Sequence, residues 1–387
     1  MPSSETRLVR SRALWALYAL LGLFAFAQNM IGPAVPFLRA EFHLDYGAAA
    51  MHMSAFALGQ MLSGLAAPVC IRRLGLRRSI WGGMAGMLIG ITGFVLAPAP
   101  ALSLVSILLM SLSGCVSLSC LQTSIAGLAG PCRSQALMEA NVTASVMSAL
   151  APFALVAGVA LGLGWRVFWP AFALGLAVAC LFGARPIAAA VPDAGAEKAA
   201  SERKRLPAAF WKVCALTFIA VGVEWSVGFW ATEYLKGLPG QSVSLAAAGA
   251  GAFQLAAVAG RLVSSRLMAR LRERQMLVAA MALTLLGFPL YWLRADALSA
   301  FAGLALCGLG VSNFYPLALS LGLEAAEGQT AAASSWAAAA AGAAIFSMPL
   351  LLGLVADRAG LSTALLAAPI GLCLMGLLLI RKRPRES

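Results

Sequence analysis

Apolar stretches of about twenty residues recur along the whole chain, and they constrain its fold more than any other feature. Of the 387 residues, 61% are hydrophobic and only 11% are charged. A water-soluble domain usually carries about 25% charged residues, because its surface faces water. A chain with so little charge has to bury most of its surface in lipid or inside a membrane bundle. The composition therefore excludes a soluble enzyme, a nucleic-acid-binding domain, a coiled coil and a disordered regulator.

The apolar stretches have the length of membrane spans. A transmembrane helix needs about 20 mostly apolar residues, and twelve such segments lie between basic clusters and Gly or Pro turns. The predicted fold class is therefore an all-α integral membrane protein with twelve transmembrane helices. The predicted spans are residues 14–38, 47–70, 79–97, 101–128, 135–160, 165–184, 209–235, 243–267, 275–293, 296–322, 330–355 and 361–380.

The basic residues are distributed asymmetrically between the predicted loops. When the N-terminus is placed in the cytoplasm, most of the 28 Lys and Arg residues fall in cytoplasmic segments. Basic residues accumulate in the cytoplasmic loops of membrane proteins. We therefore expect a multi-pass protein of the inner (plasma) membrane, surrounded by lipid, with both termini in the cytoplasm. This topology accounts for the net charge of +13 without a nucleic-acid partner.

The longest polar stretch follows the sixth span and divides the chain into halves. It predicts an N-terminal six-helix bundle over residues 1–184, a cytoplasmic linker over 185–208 and a C-terminal six-helix bundle over 209–387. Similar basic segments follow the second and the eighth spans, at 73–78 and 270–275. Similar halves are typical of transporters built by repetition, in which the binding site lies at the repeat interface. The sequence thus predicts two pseudo-symmetric bundles around a central cavity.

The loop between the second and third spans is similar to a motif of the major facilitator superfamily. The pattern of that family is G-x-x-x-D-R-x-G-R-R, and residues 67–78 read A-P-V-C-I-R-R-L-G-L-R-R. Arg73, Gly75 and further basic residues match, but Arg72 occupies the position of the acidic residue. In the family this acid helps to latch the two halves together on the cytoplasmic side. The chain resembles this family over all twelve spans, and the resemblance implies transport by alternating access.

A second, shorter resemblance is to the fucose-permease-like sugar transporters. Their seventh span often contains G-x-E…G-x-W…Y-L, and residues 222–235 read G-V-E-W-S-V-G-F-W-A-T-E-Y-L. The segments Ala-Gly-Arg-Leu at 259–262 and Phe-Tyr-Pro at 314–316 fit the same subgroup. The resemblance implies that a sugar is a possible solute.

Glu224 is the most deeply placed acid of the chain, close to the middle of the seventh span. An ionisable side chain near the bilayer centre costs about 2.5–3.5 kcal/mol on insertion scales, so its presence needs an explanation. A carboxyl group at this depth can carry a proton, and Glu224 is the predicted proton-coupling residue. The alternative is a neutral structural glutamate that hydrogen-bonds within the bundle.

Five further charged positions are predicted to act in gating or in structure. Arg261, about two turns from the end of the eighth span, has to pair with an acid or with carbonyl groups. Its predicted partner is Glu324, in a strut or a gate; alternatively, Arg261 binds an anionic solute. Glu139 opens the fifth span, and we hypothesise that it supplies the negative charge missing beside Arg72 and Arg73.

Glu233 and Asp357 lie near the outer ends of their spans. Both acids are therefore expected to reach water rather than to take part in the site.

Amide and aromatic side chains within the spans form the predicted solute site. An amide offers both donors and an acceptor, as a sugar hydroxyl requires, and a flat apolar ring can stack on a sugar ring. Each of these side chains can instead form a helix–helix contact. The predicted solute-binding residues are Asn29, Gln60, Gln254, Asn313, Trp225, Trp230 and Tyr315.

Motifs of enzymes and of ATP-driven pumps are absent from the sequence. It contains no Walker A pattern, no H-E-x-x-H, no G-x-S-x-G and no Cys/His spacing of a metal site, so no cofactor or metal is predicted. We predict a monomeric secondary transporter, not an enzyme, that moves a small polar solute, such as a sugar, together with H⁺. Efflux of amphipathic drugs or metabolites by proton antiport is the alternative. Transport direction, sodium coupling and facilitated diffusion stay open.

Overall fold

A computed structural model describes residues 8–191, 207–238, 242–267, 270–326 and 329–379 of the chain. Within these ranges the chain forms thirteen α-helices and two short 3-10 helices, and no strand. Most of the predicted linker, residues 192–206, lies outside the described residues. The chain divides into two compact units, and a segment of the N-terminal half, Leu38–Ser54, belongs to the second unit.

The first unit comprises Met1–Phe37 and Ala55–Lys198. Proline and glycine set the limits of its helices: Pro100 opens a helix, where its missing N–H costs nothing, and Gly130 ends the same helix with a φ of 52°. The predicted spans of this half are found as helices, with ends shifted by a few residues. The helices are α1 (Arg12–Phe42), α2 (Tyr46–Val95), α3 (Pro100–Ala129), α4 (Arg133–Ala160) and α5 (Phe168–Ala190).

Helix α2 is 50 residues long and contains both the second and the third predicted spans. Gly75 interrupts it with φ 81° and ψ 168°, a conformation that glycine adopts without steric cost. The predicted spans 47–70 and 79–97 lie on either side of this kink. The sequence placed a loop here, but the basic residues continue the helix up to Gly75 and beyond it.

The second unit comprises Leu38–Ser54 and Ala199–Ser387. Asp296 caps one of its helices by accepting a hydrogen bond from the backbone N–H of Ser299, and Gly360 ends another with a φ of 81°. The helices are α6 (Ala208–Lys236), α7 (Val243–Leu267), α8 (Glu273–Leu293), α9 (Ala297–Val311), α10 (Phe314–Ala325), α11 (Thr330–Ala359), α12 (Leu361–Leu365) and α13 (Ala367–Leu379).

Eleven helical segments in the described part of the chain are long and apolar enough to cross a membrane, with α9 and α10 counted as one segment and α12 and α13 as another. Counting α2 as one helix gives eleven, where the sequence predicted twelve spans. Large apolar side chains point outward from these helices: Leu65 is 76% exposed and Leu181 75% exposed. Apolar surfaces of this kind are covered by lipid in a membrane protein.

Candidate functional site

Glu224 lies near the middle of α6, where its side chain is half-buried. Arg261, on the neighbouring helix α7, interacts electrostatically with the Glu224 carboxylate. An acid at this depth needs a partner, and Arg261 supplies the opposite charge. The predicted proton-coupling residue is thus brought together with a residue that was predicted for gating.

Arg261 also contacts an interruption in the tenth predicted span. Helix α9 ends at Val311 and α10 begins at Phe314. Within a continuous helix the carbonyl oxygen of Ser312 would accept a bond from residue 316, but Pro316 has no N–H. Arg261 Nε donates to this carbonyl oxygen instead, at 3.4 Å. The interruption therefore provides a backbone acceptor beside the Glu224–Arg261 pair.

Gly260 allows α7 to come this close to the interruption. A Cβ atom at Gly260 would lie 2.5 Å from the carbonyl oxygen of Leu309 and 2.5 Å from Ser312 Oγ. Both distances are shorter than any van der Waals contact, so a larger residue has to push the two helices apart. The sequence identified the Ala-Gly-Arg-Leu segment only as a resemblance, and the structure gives the glycine a packing role.

Gly260→Ala is expected to lower stability by about 1–3 kcal/mol, because the added methyl group overpacks the contact between α7 and the end of α9. Thermal unfolding of the purified protein measures the effect. The matched control is Gly127→Ala in α3, where no atom lies within 4 Å of the added Cβ. Equal Tm values for the two variants would contradict the packing role.

Other predicted solute-binding residues of the second unit lie around the same helices. Gln254, Trp225 and Tyr315 are half-buried on α7, α6 and α10. Asn313 is buried and donates from Nδ2 to Ser312 Oγ at 2.9 Å, so this amide takes part in the interruption. A contact of any of them with a solute stays a prediction.

Trp230 is fully buried near the C-terminal end of α6. Its ring packs edge-on against Phe229 and Tyr46, with centroid distances of 4.9 and 5.7 Å. These neighbours show a packing contact for the ring, whereas the predicted stacking on a solute stays untested.

The remaining two predicted solute-binding residues lie in the first unit. Asn29 donates from Nδ2 to the carbonyl oxygen of Ala25 at 3.0 Å and to Ser148 Oγ at 2.9 Å, which joins α1 to α4. The buried Oε1 atom of Gln60 has no hydrogen-bond partner among the described residues. Leaving a buried acceptor unpaired costs about 1–3 kcal/mol. A donor group of a ligand would remove this cost.

A second polar cluster connects the turn between α1 and α2 with α6 and α11. Arg39 forms an ion pair with Glu233 and its guanidinium lies 3.6 Å from the centre of the Tyr46 ring. The carboxylate of Asp357 accepts hydrogen bonds from the backbone N–H groups of Tyr46 and Gly47, at 2.7 and 2.8 Å. We call Arg39, Tyr46, Glu233 and Asp357 the hairpin clasp.

The clasp corrects one expectation from the sequence. Asp357 is exposed, as expected, but Glu233 does not reach water: only 6% of its side chain is exposed. Its partner Arg39 lies 194 residues away in the sequence, so no local pattern indicates the pair.

The sequence profile of the Major Facilitator Superfamily matches residues 17–334. The chain belongs to this superfamily. Superfamily members are transporters rather than enzymes, so the chain is a multi-pass membrane transport protein. No curated protein sequence matches it.

Solved structures of superfamily transporters share the fold along nearly the whole chain. A bacterial homologue of the human lysosomal transporter Spinster is 14% identical, with a TM-score of 0.73 over 95% of this chain and 96% of that one. A D-xylose–proton symporter is 14% identical, with a TM-score of 0.75 over 95% and 97%. The E. coli fucose:proton symporter is 19% identical, with a TM-score of 0.61 over 94% and 97%. At these identities the likeness concerns the fold alone.

Glu139 does not contact the residues of the superfamily motif to which the sequence assigned it. Its carboxylate binds Arg10 at both oxygens, with Nη2–Oε1 at 2.7 Å and Nε–Oε2 at 3.1 Å. The guanidinium matches both carboxylate oxygens at once, and the hydrogen bond and charge of Glu139 raise the pKa of Arg10. The side chains of Arg72 and Arg73 are exposed. The hypothesis that Glu139 replaces the missing motif acid is therefore not supported.

Glu324 is exposed at the end of α10. The predicted Arg261–Glu324 pair stays a prediction; Arg261 donates to Ser312 and interacts electrostatically with Glu224.

Proposed function

We propose that this superfamily member is a proton-coupled secondary transporter that carries a small polar solute, such as a sugar, across the plasma (inner) membrane. The observation that supports it is the electrostatic interaction of Glu224, near the middle of α6, with Arg261 of α7, an exposed residue that also donates to the carbonyl oxygen of Ser312. We further propose a monomer with both termini in the cytoplasm, in which two six-helix bundles enclose a central cavity. The kink at Gly75 would separate two spans of α2, which gives twelve.

The pair can couple a proton to a solute through a change of charge. While Glu224 is ionised, its carboxylate and the Arg261 guanidinium compensate each other in a medium that penalises single charges. Once a proton neutralises Glu224, the guanidinium, which already donates to the carbonyl oxygen of Ser312, can turn to a polar group of the solute. One charge that moves through 100 mV supplies about 2.3 kcal/mol, which supports roughly 50-fold accumulation.

The polar residues near the pair suit an uncharged, hydroxyl-rich solute. Gln254 and Asn313 provide amides, and Trp225 and Tyr315 provide flat rings. The sugar–proton symporters among the structures of the same fold support this class of solute.

Gradient-driven uptake into proteoliposomes tests the proposal. Labelled fucose, xylose and other neutral sugars are offered beside a lipophilic cation, with the outside made acidic. We expect a sugar to accumulate, and a protonophore to abolish the accumulation. Extrusion of the lipophilic cation without uptake of any polar solute would contradict the proposal and favour efflux by proton antiport.

A further inference from the structure

The superfamily motif occurs a second time, at the end of α11. The first copy, after the second predicted span, lacks its acid. Residues 353–360 read G-L-V-A-D-R-A-G and match the first eight positions of G-x-x-x-D-R-x-G-R-R. In the loop after the second span, Pro68 and Arg72 occupy the glycine and aspartate positions of the same pattern. The acid of the pattern is thus present at Asp357 and absent at Arg72.

Two residues of the recurring motif contact the first turn of α2. Each Asp357 oxygen accepts a backbone hydrogen bond there, from Tyr46 N–H at 2.7 Å and from Gly47 N–H at 2.8 Å. The first N–H groups of a helix have no partner within it and favour a negative charge. A Cβ atom at Gly353 would lie 2.7 Å from the carbonyl oxygen of Tyr46, so this approach requires glycine.

Further contacts tie the same segment to α6 and α11. Arg39 pairs with Glu233 of α6, and Ser54 Oγ donates to the carbonyl oxygen of Phe346 in α11 at 2.7 Å. As a result, Leu38–Ser54 belongs to the second unit, whereas the rest of α1 and α2 belongs to the first. The segment is therefore held by a part of the chain far from it in sequence.

One copy of the motif binds the first turn of α2, and the other lies within α2. Tyr46 and Arg72 lie about 39 Å apart along one helical segment, at 1.5 Å per residue. We propose that the hairpin clasp is a latch of this transporter: at rest it holds the α1–α2 hairpin, residues 38–54, against α6 and α11, and it releases this hairpin during alternating access. The inference rests on the alternating access of the proposed function, but not on Glu224 or on the identity of the solute.

Hydrogen–deuterium exchange of the full-length protein in nanodiscs tests the latch directly. Asp357→Ala removes the acceptor of two amide protons, and exchange in residues 38–54 should rise about five- to thirtyfold. The matched control is Asp296→Ala, which removes a similar cap from α9 (Ser299 N–H to Oδ1, 2.9 Å). It should leave residues 38–54 unchanged. Unchanged exchange there in Asp357→Ala would overturn the proposal.

Labelling of a buried position tests whether release of the clasp exposes the hairpin of residues 38–54. Ser54 is 6% exposed, so Ser54→Cys should react slowly with a membrane-impermeant maleimide. Adding Asp357→Asn should raise the rate about tenfold, since the same cap is weakened. The native Cys132, in the turn between α3 and α4, resolved by peptide mass spectrometry, serves as a control whose rate stays constant. An unchanged rate at position 54 would overturn the proposal.

Two features keep the test decisive. If Asp357→Ala does not fold, Asp357→Asn retains an acceptor oxygen and Gly353→Ala loosens the same contact by a different route, and both are expected to raise exchange in residues 38–54. Neither readout involves a solute or a proton. Failure of proton coupling or of sugar transport would therefore leave the latch standing, and loss of the latch would leave the coupling by Glu224 standing.

Discussion

Glu224→Gln is expected to abolish uphill accumulation of the solute while exchange of the solute across the membrane continues. The amide has nearly the shape of the carboxyl group, but it cannot bind and release a proton. The accumulation ratio in proteoliposomes under a proton-motive force of about 100 mV should fall from roughly 50 to 1. Counterflow of the labelled solute without a gradient should remain, because the neutral amide resembles the protonated Glu224, the state in which the solute binds.

Glu324→Gln is the matched control for this prediction. It makes the same chemical change at an exposed acid of the same unit. Accumulation by this variant should equal that of the parent protein. Full accumulation by Glu224→Gln would remove Glu224 from the coupling role, and loss of both accumulation and counterflow would assign it to solute binding or to structure.

Arg39→Ala is expected to lower the free energy of unfolding by about 3 kcal/mol, the largest effect on stability that we predict. The change leaves the carboxylate of Glu233, which is only 6% exposed, without its closest cation. Breaking one partner of a buried ion pair costs about 3–5 kcal/mol. We take the lower end of this range because Lys236 Nζ lies 4.0 Å from the same carboxylate. Unfolding by denaturant or heat measures the effect.

The double variant Arg39→Met, Glu233→Gln separates the lost charge partner from lost packing. Removing both charges should recover most of the stability, because replacing both members of a buried pair is often neutral. Arg358→Ala, at an exposed residue beside Asp357, is the single-site control and should change little. A double variant as unstable as Arg39→Ala would contradict the electrostatic account.

The spans could be predicted from the sequence because few backbone structures are stable within a membrane. Backbone groups in lipid have to be satisfied within helices, so hydropathy indicates their positions closely. The kink at Gly75 was not predicted, because the basic residues around it indicated a loop. The interruption near Ser312 depends on Pro316, which the sequence shows, but the donor that replaces the missing N–H comes from another helix.

Charge partners distant in sequence could not be predicted. Glu139 was assigned to the nearby basic loop, whereas its partner Arg10 lies 129 residues away. Such pairs depend on how the helices pack, which hydropathy does not encode. Asp357 is a different case: its motif was visible in the sequence, but its place at the outer end of a span suggested only contact with water.

The most direct test of the central claim is the internal pH of proteoliposomes during solute movement. A trapped pH dye is followed while an inward solute gradient alone is imposed, for the parent protein and for Glu224→Gln. We predict that the interior acidifies in the parent and stays constant in Glu224→Gln, although labelled solute enters both. Equal acidification in the two proteins would contradict coupling through Glu224.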